Sequence, residues 1–253
     1  MKARIALALI SSLFLGACVA DSATEDDSAE ATPRLASNSM LPGVIVGNSL
    51  WSAPITGSAI YYSGLESTPS GRSYIGYMVD CALSAKQTPI SSMYAGNTYI
   101  YPGTLGLATA WTTRALTTSE QRYVSACVLA RANVFGQPVT ISMRGETTVL
   151  AVSNDELLNY NVEEGAFYGT IFDGRGNETH ACNGVDQVRD GDTFGDLSLR
   201  QCAQPDPNNP GYTLCGFLFD GNCADVCVRN GDHYSSCAAQ TEVITTLLYG
   251  TAP

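Results

Sequence analysis

Lysine is almost absent from this chain of 253 residues, in which Lys2 and Lys86 are the two lysines. Acidic side chains outnumber basic ones by 24 to 13, which gives a net charge of −11 at pH 7. Nucleic-acid binding rests on clustered lysine and arginine, so the composition predicts no nucleic-acid partner. Attraction to anionic lipid is also disfavoured, because that attraction depends on basic clusters.

Long apolar runs are missing after the first residues, since no later stretch approaches the roughly 18 residues that indicate a transmembrane helix. Several catalytic signatures are missing as well, among them Gly-x-Ser-x-Gly, His-Glu-x-x-His and the glycine-rich nucleotide-binding loops. Their absence removes the most easily recognised hydrolases, zinc proteases and nucleotide-binding enzymes. The sequence therefore predicts no cofactor and leans against an enzyme, without excluding catalysis.

The first residues have the pattern of an export signal. Lys2 and Arg4 precede an apolar run over residues 5–15, which is too short to span a bilayer core of ~30 Å as a helix. A basic head, a short apolar run and small residues predict a secretory signal peptide over residues 1–17.

The end of this signal, Leu15-Gly16-Ala17-Cys18, resembles the lipobox of bacterial lipoproteins. The resemblance implies cleavage before Cys18, a diacylglyceryl group on its sulfur and an acyl chain such as palmitate on its new amine. Two or more acyl chains hold a protein firmly on a bilayer. The implied place is the cell envelope, and Val19 after the lipidated cysteine favours the outer membrane over the inner one.

The remaining chain divides into two predicted parts. Residues 18–40 carry five acidic side chains among Ser, Ala and Thr and have no periodic apolar face, so we expect a flexible tether. Residues 41–253 are long enough for a single globular domain, and a 45% content of hydrophobic residues permits a core.

Nine cysteines are present, and lipidation of Cys18 would leave an even number. Export to an oxidising compartment then predicts disulfides among the others. Cys81 and Cys127 stand apart upstream, which predicts one pair between them, and three pairs are expected within the C-terminal group. That group is Cys182, Cys202, Cys215, Cys223, Cys227 and Cys237.

Periodicity and capping residues predict an α+β fold with its helices mainly in the first half. Helices are expected over residues 71–84, 118–135 and 154–160 because apolar residues recur at helical spacing or Ser/Thr–Glu capping boxes are present. Strands are expected over 97–101, 139–143, 147–152, 167–172 and 241–249. Residues 173–237 are rich in Gly, Asp, Asn and Cys, and we interpret them as loops held by disulfides.

Three segments resemble a group of exported cysteine-rich bacterial proteins. They are Tyr-x-Val-x-Cys-Ala-Leu over residues 77–83, Leu-Gly-Leu-Ala over 105–108 with Trp111, and Ser-Ala-Cys-x-x-Ala over 125–130 followed by Asn133 and Gly136. The resemblance supports the domain limits and implies no activity.

Two histidines, His180 and His233, are the candidates for acid–base chemistry. Asp80-Cys81 resembles the Asp-Cys pair of NlpC/P60 cell-wall peptidases, but Ala82-Leu83 replaces the Ser-Gly of that family. Cys81 also falls late in its helix, where the dipole disfavours a thiolate. A structural disulfide is therefore expected there.

Metal binding is a weaker hypothesis, and no metal site is predicted. Cys223, Cys227, His233 and Cys237 have a zinc-like composition without tight spacing. Acidic loops supply oxygen ligands but do not match a calcium loop, and turn chemistry explains their Asp-Gly and Asn-Gly pairs. Their acidic and amide residues are Asp173, Asn177, Glu178, Asp186, Asp190, Asp192, Asp196, Asp220, Asn222 and Asp225.

The sequence favours a lipid-anchored binding or interaction module of the cell envelope. Its expected partners are the bilayer, through Cys18, and a protein or glycan ligand. Thirteen tyrosines with Trp51 and Trp111 offer aromatic surface for such a ligand. Two alternatives stay open: an envelope hydrolase that uses His180 or His233 with a nearby carboxylate, and a structural envelope protein.

Overall fold

The computed structural model describes residues 35–172, 178–186 and 200–250. Within these ranges the helices are α1 (Gly57–Ser63), α2 (Pro69–Ala82), α3 (Thr118–Ala130), α4 (Asn154–Asn159) and α5 (Cys223–Val226). The first strands are β1 (Leu35–Asn38), β2 (Ile90–Tyr94), β3 (Asn97–Tyr101), β4 (Val139–Arg144) and β5 (Tyr160–Gly169). The later strands are β6 (Thr179–Asn183), β7 (Leu218–Asn222), β8 (Cys227–Asn230), β9 (His233–Cys237) and β10 (Ile244–Tyr249). The predicted α+β class, with helices mainly in the first half, is confirmed.

One six-stranded sheet organises the domain, with the order β1-β4-β10-β5-β6-β7. Its neighbours pair antiparallel except β6 and β7, which run parallel. Two hairpins, β2–β3 and β8–β9, form separate two-stranded sheets. The C-terminal strand β10 therefore lies inside the main sheet, between β4 and β5.

Helices α2 and α3 form because their sequences carry both a cap and an apolar face. Thr68 accepts a hydrogen bond from Gly71 N ahead of Pro69, and Thr117 forms a capping box with Glu120. The two helices pack against each other, and both predicted helices are confirmed.

Helix α3 ends earlier than predicted, at Ala130 instead of residue 135. The reason is Asn133, whose buried side chain donates to Gln137 O (2.8 Å) and accepts from Phe135 N (2.9 Å). These side-chain bonds replace helical ones and turn the chain. Phe135 is therefore left 49% exposed instead of extending the helical face.

Two strand predictions in the middle of the chain need correction. The segment 147–152 contains a 3₁₀ turn, Thr148–Leu150, because the Thr147 side chain accepts from Val149 N and competes with extended pairing. The strand expected over 167–172 begins at Tyr160 and ends at Gly169. Its residues are buried on both faces from Val162 onward, which hides the alternation that identifies a half-exposed strand.

The predicted loop region 173–237 contains regular structure in the part that is described. β6 and β7 extend the main sheet, and β8 and β9 form a hairpin. These strands have four or five residues each and carry polar side chains, so they show no clear periodicity. Residues 173–177 and 187–199 of this region lie outside the described residues.

The folded domain begins before residue 41, the predicted boundary. β1 pairs antiparallel with β4, and Met40 is buried, so the last residues of the predicted tether belong to the domain. A four-residue edge strand has no periodic signal of its own, which explains the difference. The signal peptide, Cys18 and most of the tether lie in residues 1–34, outside the described residues. Among the described residues, no helix is long and apolar enough to cross a membrane.

Candidate functional site

The eight described cysteines are all joined in disulfides. Cys81 pairs with Cys127, as expected, with Cα atoms 6.1 Å apart between α2 and α3. The C-terminal group forms three pairs within itself: Cys182–Cys223, Cys202–Cys215 and Cys227–Cys237. A bridged Cys81 has no thiol to act as a nucleophile, and the neighbouring Asp80 carboxylate is ion-paired with Arg131.

The cysteines of the zinc-like set are likewise bonded in disulfides. Cys223 and Cys227 each bond a different cysteine, while the sulfurs of Cys182, Cys223 and Cys227 lie within 4.8 Å of one another. In the described residues this is the one cluster with the proximity of metal ligands. Sulfurs that are bonded to sulfur are not the thiolates that zinc binds.

His180 belongs to a three-residue polar cluster on the main sheet. Tyr168 on β5 lies directly opposite His180 on β6. Leu218 on β7 pairs with His180. Asp220 lies two residues after Leu218, so its side chain is on the same face of the sheet as that of His180. His180 Nδ1 lies 2.8 Å from Asp220 Oδ2, and the Tyr168 hydroxyl bonds the same oxygen. The Tyr168 and His180 rings stack with centroids 5.1 Å apart.

The cluster favours an ionised Asp220 and a neutral Tyr168. Burial acts to raise the pKa of Asp220, but the hydrogen bonds from His180 and Tyr168 lower it below its ordinary value. Burial and the adjacent carboxylate raise the pKa of Tyr168. An aspartate bonded to Nδ1 orients the ring and leaves Nε2 for proton transfer. Among the described residues, no serine, threonine or thiol lies within hydrogen-bond reach of His180.

His233 has both ring nitrogens beside carboxylates. Nδ1 lies 3.0 Å from Asp232 Oδ1, and Nε2 lies 3.3 Å from Glu146 Oε1. Hydrogen bonding from Asn230, followed by His233, lowers the pKa of Glu146. These contacts tie the β8–β9 hairpin to the segment after β4, which is a structural role.

Three of the described acidic residues of the loops, Asp186, Asp220 and Asp225, serve as hydrogen-bond acceptors within the fold. Asp186 accepts from Glu163 N at 2.7 Å, and Asp225 accepts from the Asn222 amide at 3.2 Å. Asp220 belongs to the His180 cluster. Asp173, Asn177, Asp190, Asp192 and Asp196, which also belong to the calcium hypothesis, lie outside the described residues.

Aromatic side chains divide into buried and exposed sets. Trp111 is fully buried, and its Nε1 donates to backbone carbonyls of Leu50 and Ala53. In contrast, Tyr61 and Tyr62 on α1 are 47% and 84% exposed. Their rings meet edge to face with centroids 5.3 Å apart.

These tyrosines border a groove of about 470 Å³ between α1 and β2, which we call the aromatic groove. Its lining residues are Thr56, Gly57, Ser58, Tyr61, Tyr62, Ser91, Ser92 and Met93. Met93 is 66% exposed. None of these described lining residues carries a charge, so the groove offers aromatic rings, a thioether and small hydroxyl groups.

The floor of the aromatic groove is fixed by a buried carboxylate. Glu66 is fully buried and accepts from Ser92 Oγ and from the Tyr101 hydroxyl, each at 2.7 Å. Ser92 Oγ also lies 3.0 Å from Gly57 O. A side chain at Gly57 would collide with the backbone carbonyl of Ser91, so glycine permits the close approach of α1 to β2.

The sequence offers the tyrosines only as a class, and it singles out neither Tyr61 nor Tyr62 and does not predict β2. The available signal was local: the Ala95-Gly96 turn follows a five-residue run that pairs in register with β3. Helix α1, with seven residues, is too short for a periodic pattern to identify its exposed face. The groove forms only through the tertiary packing of α1 against β2.

Comparisons with known proteins identify no relative. No family model, no curated protein sequence and no solved structure matches the chain.

Proposed function

We propose that this protein is a lipoprotein of the cell envelope, anchored through Cys18, whose domain binds an uncharged partner in the aromatic groove. The exposure of Tyr61, Tyr62 and Met93 around one concave surface carries the proposal. Contiguous exposed apolar side chains mark interaction sites on soluble domains. The groove also falls within the size range of ligand sites, roughly 300–1,000 Å³.

The composition of the groove supports binding over catalysis. Cores of protein interfaces are enriched in Tyr and Met and depleted of Lys, Asp and Glu. Tyrosine with Ser and Gly is the combination that antibody paratopes use, because tyrosine gives contact area at low entropic cost and serine gives adaptable hydrogen bonds. The same groups suit a neutral glycan, whose hydroxyls pair with hydroxyls and whose ring faces pack on aromatic rings.

The groove does not suit an extended peptide that adds to a sheet edge. Helix α1 covers β2 at Ser91 and Ser92, where Gly57 makes its close contact. Recognition by strand addition needs a free edge. A glycan or a protein surface docking on side chains is therefore the favoured partner class.

A double substitution tests the groove. We expect Tyr61→Ser/Tyr62→Ser to weaken binding by about 30-fold, the effect of losing about 2 kcal/mol at an interface hot spot. Binding is measured for the full lipidated chain in detergent, by cosedimentation with purified envelope glycan and, separately, with reconstituted envelope proteins.

Leu158→Ser is the matched control, because Leu158 is 72% exposed on α4 and does not line the groove. Circular dichroism establishes that each variant is folded. Equal binding by the double variant and the control would refute the groove as the binding site. If wild type binds neither the glycan nor the envelope proteins, the binding function is refuted.

A hydrolase is the second candidate, and the His180–Asp220 contact of 2.8 Å is the observation that favours it. His180 is half-buried beside an ionised aspartate, as a general base for a water nucleophile would be. His233 is less suited, since both of its nitrogens face carboxylates.

His180→Gln is expected to lower kcat/KM for an envelope ester, peptide or glycan substrate by about 10²–10⁴-fold if His180 is the base. Hydrolysis is assayed on isolated envelope material with wild type, His180→Gln and His233→Gln. Activity that survives His180→Gln, or wild type without activity, would remove this candidate.

A further inference from the structure

Two disulfides meet in the C-terminal half of the domain. Cys182 on β6 is bonded to Cys223 at the start of α5, and Cys227 is bonded to Cys237 across the β8–β9 hairpin. The sulfurs of Cys182 and Cys227, which belong to different bridges, are 3.5 Å apart. That separation is van der Waals contact between two sulfur atoms.

We propose that these four cysteines form a thiol–disulfide relay, in which an external dithiol reduces the Cys227–Cys237 bridge and Cys227 then attacks the Cys182–Cys223 bridge. The proposal stands independently of the aromatic groove. Exchange proceeds by attack of a thiolate on a disulfide sulfur. Reduction of the Cys227–Cys237 bridge frees the Cys227 side chain, whose sulfur starts 3.5 Å from that of Cys182, to turn into line with the Cys182–Cys223 bond.

The order of the steps follows from exposure. Cys182 and Cys223 are fully buried and Cys237 is 1% exposed, whereas Cys227 is half-buried. The bridge that contains Cys227 is therefore the one that a soluble dithiol reaches first, and the fully buried bridge is reached through it.

The attacked sulfur follows from distance. All three sulfurs of Cys182, Cys223 and Cys227 lie within 4.8 Å of one another, and the 3.5 Å contact joins Cys227 to Cys182. Attack at Cys182 makes Cys223 the leaving thiolate.

The electrons and atoms balance over two steps. The dithiol gives two electrons to the Cys227–Cys237 bridge, becomes a disulfide, and leaves both cysteines as thiols. The Cys227 thiolate then forms a bond to Cys182 while the Cys182–Cys223 bond breaks and Cys223 takes up the proton. The product has a Cys182–Cys227 bridge with free thiols at Cys223 and Cys237.

The backbone just after Cys237 forms a strained turn. Ala238 and Ala239 are held at φ of 46° and 67°, the left-handed region that disfavours residues with a side chain. The turn is closed by hydrogen bonds between the backbones of Cys237 and Gln240.

Trapping of the two-electron-reduced state tests the relay. The folded full chain is treated with limiting dithiothreitol, quenched in acid, alkylated with N-ethylmaleimide and digested before aspartate. Cleavage at Asp220, Asp225 and Asp232 places Cys223, Cys227 and Cys237 on separate peptides, so mass spectrometry reads each pairing.

We expect the Cys182 peptide linked to the Cys227 peptide, with alkylated Cys223 and Cys237. Alkylated Cys227 and Cys237 beside an intact Cys182–Cys223 bridge would overturn the proposal. Resistance of both bridges until the protein unfolds would overturn it as well.

A variant without the first bridge gives a second measurement. In Cys227→Ser/Cys237→Ser, reduction of Cys182–Cys223 is expected to slow by at least about tenfold, because a positioned thiolate far exceeds a dissolved dithiol in effective concentration. The Cys81–Cys127 bridge of the same molecule is the internal control, and its reduction rate should not change. An unchanged rate for Cys182–Cys223 would contradict the relay.

Discussion

Asp220 shows how single residues set the properties of the polar cluster. One oxygen of its carboxylate accepts from both Tyr168 and His180, and these bonds hold the pKa of Asp220 below its ordinary value of 3.8. Because the folded state favours the ionised form, this contribution to stability is present above the unfolded pKa. It is lost as pH falls through the lower folded pKa.

The free energy of unfolding should therefore decrease as pH falls below about 4, and Asp220→Asn should make that decrease shallower. Tyr168→Phe removes one of the two hydrogen bonds and should give an intermediate slope. Urea unfolding at a series of pH values from neutral to strongly acidic measures the slopes. Parallel slopes in all three proteins would show that Asp220 is not stabilised by these contacts.

Among helices and strands, the sequence predicts those whose caps, turn residues and apolar periodicity agree with how they pack. α2 and α3 carry a cap and an apolar face together, and the side chain of Ser153 accepts from Glu156 N at the start of α4. Strand β3 was predicted with its observed bounds, since Pro102 and Gly103 close it. For such elements the sequence shows both the helical or alternating spacing of apolar residues and the residues that end the element.

Elements that tertiary contacts define could not be predicted in the same way. β5 is buried on both faces, so its alternation is lost, and β6 and β7 acquire their roles through pairing with β5 and with each other. The His180 cluster joins three strands whose residues are up to 52 positions apart. Its histidine was visible in the sequence, but its aspartate and tyrosine partners were set by strand register.

Across the whole molecule, a buried ion pair ties the cysteine-rich half to the helical half. Arg200 and Glu164 are both fully buried, with Nε and Oε2 2.5 Å apart. Arg200 also donates to the backbone carbonyls of Ala130 and Ala132 at the end of α3, and Thr246 of β10 donates to Glu164. Removing one member of such a pair leaves a buried charge without its partner, which is strongly destabilising. This ion pair therefore links the two halves of the described domain.

The pairing of the eight described cysteines with one another allows a direct test of the proposed Cys18 anchor. Cys18 lies outside the described residues, and the described cysteines are fully paired without it. Under the proposed lipid anchor, Cys18→Ser should move the protein from the detergent-rich phase to the aqueous phase, since acyl chains give membrane affinity of ~0.8 kcal/mol per buried CH₂.

The same variant should contain no titratable thiol when it is denatured without reductant, and its thermal unfolding should match that of wild type. Mass spectrometry of wild type should show a chain that begins at Cys18 and carries acyl groups. A single free thiol in Cys18→Ser would mean that Cys18 pairs with another cysteine. The proposed lipid anchor and the pairing of the other eight cysteines among themselves would then both be wrong, because each requires that Cys18 forms no disulfide.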